Sequence, residues 1–415
     1  MVVSFGRRAG FFGLLLATAG CGSFSQVQSE PEAVISFRAL DPRRGARDCD
    51  DVDDAVVVCR VRRSFPLSVL QSRAAAGETV WRDGDELTWL TKLSADSVDL
   101  SGGVQLPMSR VQGTDYWIVT ARIADLDRAV ISYVFFPRDG TNPVGRRFQS
   151  SRWAGPRAPD PADTASALRG RIVRTELNSR FLEKPRGVSA YLPPERNGEP
   201  IRAVVYVGDG GAVGFASVLD TMITTGQLPR IMLVGMDTDL TQYPDGWDGR
   251  MLEYLYLPTR DSTRFLAHER FVLEEVVPWA ETLGAPSEAA SRAVLGFSNS
   301  AAFAIEIALR RPDVFGRAIA FSPAGRTPEM LPGTSLEAPA AFYLLGGRLE
   351  ESFHRKALQW AALFREHGVA HTVREPVAGH DYQVWRSMLP DALEWAFGRR
   401  QVQTRWSSGE RRASE

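Results

Sequence analysis

Cysteine is scarce in this chain, with three in 415 residues. No C-x-x-C pair occurs, and "HERFV" at His268 fails the H-E-x-x-H pattern, so no metal is expected. Histidine is also rare, at five. An excess of one charge is missing: 49 basic residues face 50 acidic ones, for a net charge of −1. That balance gives no general electrostatic attraction toward nucleic acid. The apolar run "AGFFGLLLATAG" near the N-terminus is too short to span a bilayer. A dinucleotide loop is lacking as well. The glycines of "VVYVGDGGAVG" follow a strand, but G-x-G-x-x-G would need glycine where Val213 stands.

What is present begins with Arg7 and Arg8 ahead of that apolar run, which ends in small residues at Cys21. This is the build of a secretory signal. Small residues before a cysteine also resemble a bacterial lipoprotein box, with Thr18 departing from the leucine that such a box prefers. The resemblance implies cleavage ahead of Cys21, lipidation of Cys21, and sorting to the outer membrane by the non-acidic Gly22, facing the periplasm. Ordinary secretion, with Cys21 lost or idle, is the alternative. Cys49 and Cys59 then remain, flanking "DDVDDAVVV", and an oxidising compartment is expected to pair them in a structural disulfide.

Composition shifts divide the rest. After a signal at 1–20 and a tether at 21–34, residues 35–150 hold short alternating or β-branched segments such as "DELTWLTKL" and "DYWIVTARI", separated by turn residues. They predict a small β-sandwich. Residues 151–168, rich in Pro and Ala, read as a linker. From 169 to 400, short apolar strands ("RAVVYV", "RIMLVGM", "RAVLGF", "RAIAFS", "AAFYLL") alternate with amphipathic helical stretches. That pattern predicts an α/β domain with a mostly parallel sheet covered on both faces. The polar tail 401–415 is expected to be disordered.

The chemistry centres on "VLGFSNSAA". Ser298 follows a buried-type strand and opens a helix, the setting of a nucleophile in G-x-S-x-G hydrolases. Gly187-Val188-Ser189 and Gly333-Thr334-Ser335 share the G-x-S triplet without that context. Residues two before and two after such a serine crowd each other. Gly296 suits this, whereas Ser300 replaces the second glycine and predicts a strain of about 1 kcal/mol. The base should follow an acid in chain order. His268, His354 and His367 fall in helical stretches, with solvated or half-buried roles expected, and His371 begins a strand. His380 alone lies in a Gly-led loop between the last strand and the last helix. Glu350, after the strand "AAFYLLGG", is the candidate acid, with Glu351 its competitor; Asp381 is too near its neighbour's ring to serve. The backbone N–H of Asn299, with that of Gly210 or Gly211, is expected to receive an oxyanion.

Together "RAVVYVGDG", "RMLEYLYLP", "FVLEEVVPWAE", "VLGFSNSAAFAIEIALRRPDVFGRAIAFSP", "YLLGGRLEESF" and "AGHDYQVWRSMLPDALEWAF" resemble the enterochelin esterase-like (esterase D-type) branch of α/β-hydrolases. The likeness spans most of residues 170–400, and "VDLSGGVQLPMSRVQGTDYWIVTARIADLDRAVISYVF" is similar to the Ig-like sandwich preceding the hydrolase in that family. It implies a serine esterase acting without a cofactor on a small-molecule ester, catecholate siderophore esters being that family's substrates; export is the expectation from the N-terminal signal. The family also holds carbohydrate-acyl esterases and acyltransferases, and a non-catalytic envelope lipoprotein on this fold is the rival from another class. No obligate protein partner is implied. Tyr243 and Trp247 are candidates to stack on an aromatic acyl group, with loop packing the equal alternative. Arg250 is a candidate substrate contact, and an ion pair with Glu253 is the expected alternative.

Overall fold

A computed structural model of the chain describes residues 31–40, 47–51, 57–138, 151–162, 167–257, 262–325, 336 and 340–398. The signal, Cys21 and the tail lie outside these residues.

The N-terminal region is built from two antiparallel sheets. The larger joins Ile35–Ser36, Ser109–Val111, Tyr116–Ile123, Glu86–Lys92 and Val80–Asp83, with Val58–Val61 also paired to Tyr116–Ile123. The smaller runs Ser151–Ala154, Val130–Arg138, Ser97–Gly102, Leu106–Pro107. Alternation along the strands does the packing: Trp117, Val119, Ala121 and Ile123 point inward with Leu87 and Trp89 to meet Val98, Leu100, Ile131 and Tyr133 of the other sheet. On the outer side, Ile118 and Leu90 pack beneath Leu70 of the helix Leu67–Ala75. The Cys49–Cys59 disulfide is formed. Two expected boundaries move. Ser151–Ala154 pairs with Val130–Tyr133, so this region extends past residue 150 into the expected linker. The tether ends before 34, because the Ala33 N–H already bonds the Phe65 carbonyl.

The second region is an eight-stranded sheet: β1 (Arg171–Leu177), β2 (Arg186–Leu192), β3 (Ala203–Val207), β4 (Ile231–Met236), β5 (Arg292–Phe297), β6 (Arg317–Phe321), β7 (Ala341–Leu345) and β8 (His371–Arg374). Their spatial order is β1-β2-β4-β3-β5-β6-β7-β8. The first two strands are antiparallel, and from β4 to β8 the sheet is parallel. Strand β3 shows why no polar alternation was visible. Val204 and Tyr206 enter one core, Ala203, Val205 and Val207 enter the other, and all five are buried. Helices cover both faces: α1 (Ala212–Thr224) and α4 (Tyr382–Phe397) on one, α2 (Asn299–Arg310) and α3 (Glu351–Glu366) on the other. Ser298, Glu350, His380 and the Gly210–Gly211 turn therefore follow the carboxyl ends of parallel strands, where such sheets present their sites.

Candidate active site

At the end of β5 the chain reverses into α2 through Ser298, whose φ of 59° and ψ of −121° lie outside the usual regions for an L-residue. The turn is pinned on both sides. The Ser298 N–H donates to the Phe321 carbonyl at 3.0 Å, and its carbonyl accepts from Ala301 and Ala324 at 3.1 Å each. A Cβ on Gly296 would lie 2.0 Å from the Ser300 carbonyl oxygen, so glycine is required there by backbone, not by side chain. The strain expected at Ser300 is absent: it is an ordinary buried residue of α2, and its hydroxyl is hydrogen-bonded. Of the two decoys, Ser189 lies inside β2, paired with Gly235; residues 333–335 lie outside the described set.

The acid and the histidine come together. Glu350 follows β7 in a loop held by Gly347, which has no room for a Cβ against the Ala378 carbonyl 2.3 Å away. Glu350 Oε2 meets His380 Nδ1 at 2.7 Å, while Oε1 accepts from the Gly347 N–H at 2.7 Å and from the Ser322 hydroxyl. The Glu350 side chain is 4% exposed. An acceptor on Nδ1 fixes the proton there and leaves Nε2 as the free base. Glu351, by contrast, is exposed and pairs with Arg355 one turn on. Asp381 caps α4 through the Gln383 N–H at 2.8 Å, as a residue too close to reach the ring should.

The ring of Trp385 ties this pair to the serine turn. It stacks on Phe297, the residue before Ser298, at 4.9 Å, meets His380 edge-on at 4.9 Å, and its Nε1 donates to Ser322 Oγ at 2.9 Å. Phe353 also stacks on His380 at 4.1 Å. Sequence reasoning missed Ser322 and Phe353. Ser322 sits at φ 52° just after β6, fully buried, and only its position past a parallel strand could have flagged it.

In the β3–α1 loop, expected to supply an oxyanion donor, one candidate is lost and the other kept. The Gly210 N–H is committed to the Met236 carbonyl at 2.7 Å, while that of Gly211 makes a longer turn bond of 3.2 Å to Gly208. Asn299 opens α2, ahead of the first intrahelical bond, so its N–H faces outward from the helix start. Arg250 does not pair with Glu253. Its fork is taken up by Asp209 at 2.6 and 2.8 Å, and Glu253 is gripped by Arg186 at 2.7 Å through both oxygens. A guanidinium so occupied is a poor substrate contact. Tyr243 accepts from Arg264 through its hydroxyl and is bonded to Trp247 along the backbone, which favours loop packing for that pair.

His268 is the other departure. Far from being solvated, it is completely buried, and neither ring nitrogen has a hydrogen-bond partner among the described residues. Burial holds its pKa down at about 4, outweighing Glu253 at 3.8 Å. His354 bonds Glu375 at 2.8 Å, and His371 opens β8 as expected.

The site also rests on the first region. Val377 and Leu349, from the loops carrying His380 and Glu350, pack into the sandwich core. The Val130 N–H donates to the Val377 carbonyl at 2.9 Å, Arg348 pairs with Asp125, and a Cβ on Gly379 would lie 2.2 Å from the Gly103 carbonyl oxygen.

A strand–serine–helix turn at the end of the central strand, with a carboxylate and histidine following β7 and β8, decides the fold. The second region has the α/β-hydrolase fold. Its residues 179–341 match the esterase family model described as "Putative esterase". Among solved structures, the enterobactin esterase FES from Shigella flexneri in the presence of enterobactin aligns at a TM-score of 0.59 and 19% identity, over 76% of this chain and 95% of that one. The enterochelin esterase from Shigella flexneri aligns at 0.58 and 19%, over 76% and 94%. The ferric enterobactin esterase from Salmonella typhimurium aligns at 0.56 and 18%, over 76% and 95%. The share of this chain covered exceeds what the hydrolase alone supplies, so the sandwich takes part in the match. No curated protein sequence matches the chain. Fold and family match together support a carboxylic-ester hydrolase.

Proposed function

We infer that the protein is an exported serine esterase whose nucleophile, base and acid are Ser298, His380 and Glu350. The observation that carries the reading is the buried Glu350–His380 bond of 2.7 Å, walled by Trp385 against the left-handed Ser298 turn. A binding protein has no use for that alignment. In the mechanism, His380 Nε2 takes the Ser298 hydroxyl proton as Oγ attacks the ester carbonyl. Glu350 holds the proton on Nδ1 and stabilises the imidazolium that forms. The carbonyl oxygen becomes an oxyanion facing the N–H groups of Asn299 and Gly211 at the helix start. His380 then returns the proton to the leaving alkoxide, giving the alcohol and an acyl-serine. Water, deprotonated by His380, attacks that acyl group; the acid departs and Ser298 Oγ is reprotonated.

For the substrate we propose aromatic esters of the catecholate siderophore type. The support is the shared two-region architecture with the enterobactin esterases and the aromatic surfaces of Phe353, Trp385 and Phe297 around the histidine. Export and lipid attachment at Cys21 rest on the N-terminal sequence. A Cys21→Ser change that abolishes a lipid mass shift in membrane fractions tests them.

The decisive experiment is labelling with a fluorophosphonate probe beside Ser298→Ala. An adduct on Ser298 that disappears in the variant is expected. A folded wild type that takes no probe removes the catalytic reading and leaves a binding protein.

A further inference from the structure

Ser300 stands where hydrolases of this kind carry glycine, and its hydroxyl is not idle. It accepts from the Phe297 N–H at 2.9 Å, and its proton has two acceptors in reach: Asp209 Oδ2 at 2.8 Å and the Phe297 carbonyl at 2.9 Å. One hydroxyl has one proton, and the charged acceptor makes the stronger bond. Asp209 belongs to the other loop of the site, between β3 and α1, and sits at φ 58°. Arg250 grips that carboxylate bidentately and reaches the Phe297 carbonyl at 3.3 Å. The Asp209 N–H is held by the Tyr254 hydroxyl at 2.9 Å. The fit is close as well as polar, since a Cβ on Gly208 would lie 2.7 Å from the Ser300 Cβ. The side chain at position 300 is thus matched by glycine at 208.

Each of the two loops supplies one proposed oxyanion donor: Asn299 from the serine turn, Gly211 from the β3–α1 loop. The width of the oxyanion hole is therefore the spacing between the loops, and Asp209, in the β3–α1 loop, is hydrogen-bonded across to Ser300 of the serine turn. We propose that Ser300, Asp209 and Arg250 are positioning residues that set this spacing. Serine at 300 then serves as a strut from the nucleophile turn to the oxyanion loop. This rests on the reading of Ser298 as nucleophile. A serine buried only for packing has a different signature, because its removal lowers stability and leaves transition-state affinity alone.

The test compares wild type with Ser300→Ala, Ser300→Gly, Asp209→Asn and the double variant Ser300→Ala/Asp209→Asn. Turnover of a p-nitrophenyl ester, the melting temperature and the Ki of an aryl trifluoromethyl ketone are measured together. Displacing a donor without removing it should cost about 10- to 100-fold. That loss is expected in kcat for both Ser300 variants, with KM within about twofold. The ketone, whose adduct places an oxyanion in the hole, should weaken by the same factor. The double variant should lose no more than the worse of its two single variants, since one strut is broken twice. The proposal is overturned if Ser300→Ala and Ser300→Gly keep wild-type kcat. It is also overturned if activity falls only in step with melting temperature, if ketone affinity is unchanged, or if the two losses multiply. Should Asp209→Asn fail to fold, the Ser300 variants still decide. A wild type inert to both ester and fluorophosphonate sinks the nucleophile reading itself, an outcome distinct from an active wild type with indifferent variants.

Discussion

The two halves of the site are supported in different ways. Among the described residues, the serine turn and the neighbouring β3–α1 loop are braced within the second region, by hydrogen bonds that link Ser300, Asp209, Arg250 and Tyr254, with the separate Arg186–Glu253 pair nearby. The acid and base loops lean outward. Val377 and Leu349 sit in the core of the sandwich, and Gly379 lies against the backbone of Gly103. The first half is held by charge and hydrogen bonds alone among these contacts; the second, besides its hydrogen bonds and the Arg348–Asp125 pair, adds apolar packing and close backbone approach across a domain boundary. On the reading proposed here, the sandwich is part of what aims His380, and a lone hydrolase domain would keep its nucleophile turn while losing the alignment of its base.

The sharpest break of this comparison is Gly379→Ala. The added methyl collides with the Gly103 carbonyl, which belongs to a backbone and cannot swing aside. Either the His380 loop or the sandwich must shift. A displacement of about 1 Å at a catalytic group is enough for a loss of roughly 100-fold, expected here in kcat with the melting temperature of the hydrolase core little changed. Pairing it with a deletion of residues 35–154 sharpens the result. If the truncated protein folds and Gly379→Ala in it is no worse than the truncation alone, the methyl acts through the sandwich. A fully active Gly379→Ala enzyme would show that the docking is incidental to catalysis.

The second test addresses the other half. His268 lies beneath the serine-side network, 5.2 Å ring to ring from Tyr254, and its folded pKa of about 4 is below the ordinary 6.5. The unfolded chain takes up a proton near pH 6.5 that the folded chain refuses until about pH 4. Stability is therefore complete above about pH 6.5 and declines as the pH falls toward 4, by on the order of 3 kcal/mol from this residue. Urea midpoints of wild type and His268→Gln, measured between pH 7 and 4.5, should converge or cross as the pH falls, because only the wild type carries this penalty. Parallel curves for the two proteins would mean that the ring is protonated in the folded state without cost.

These contrasts follow what the sequence made visible. Backbone demands were legible: Gly296 at the crowded turn, His380 in a Gly-led loop after the last strand, and the covered parallel sheet, because each is written within a few neighbouring residues. Glu350 was legible as a carboxylate following β7; its preference over Glu351 came from Ser322 and Gly347, which only the fold brings to it. Partners distant in the chain were not legible. Arg250 and Glu253, three apart, look like a pair on a helix, yet Asp209 lies 41 residues from Arg250 and Arg186 lies 67 from Glu253. Buried charge goes where geometry permits two-pronged bonds, and helical spacing is a weak rival to that. His268 left a fainter signal. It stands three residues after Phe265 and three before Phe271, on the face both phenylalanines bury.

The smallest expected effect tests whether charge matters on the sandwich side at all. Arg348 precedes Leu349 in the acid loop and pairs with Asp125, which is at a left-handed φ of 56° at the start of a short turn. The Asp125 carboxyl is held below its usual pKa, first by the hydrogen bond from Arg348 and then by its charge, but both side chains are open to solvent. Screening leaves such a pair with little net worth. Arg348→Ala should therefore change kcat by less than about fivefold, while burial of Leu349 and Val377 continues to hold the loop. Asp125→Ala should match it, and the double variant should be no worse than either. A loss approaching that of Gly379→Ala would reverse the contrast drawn above, placing charge, not packing, in control of how the histidine is aimed.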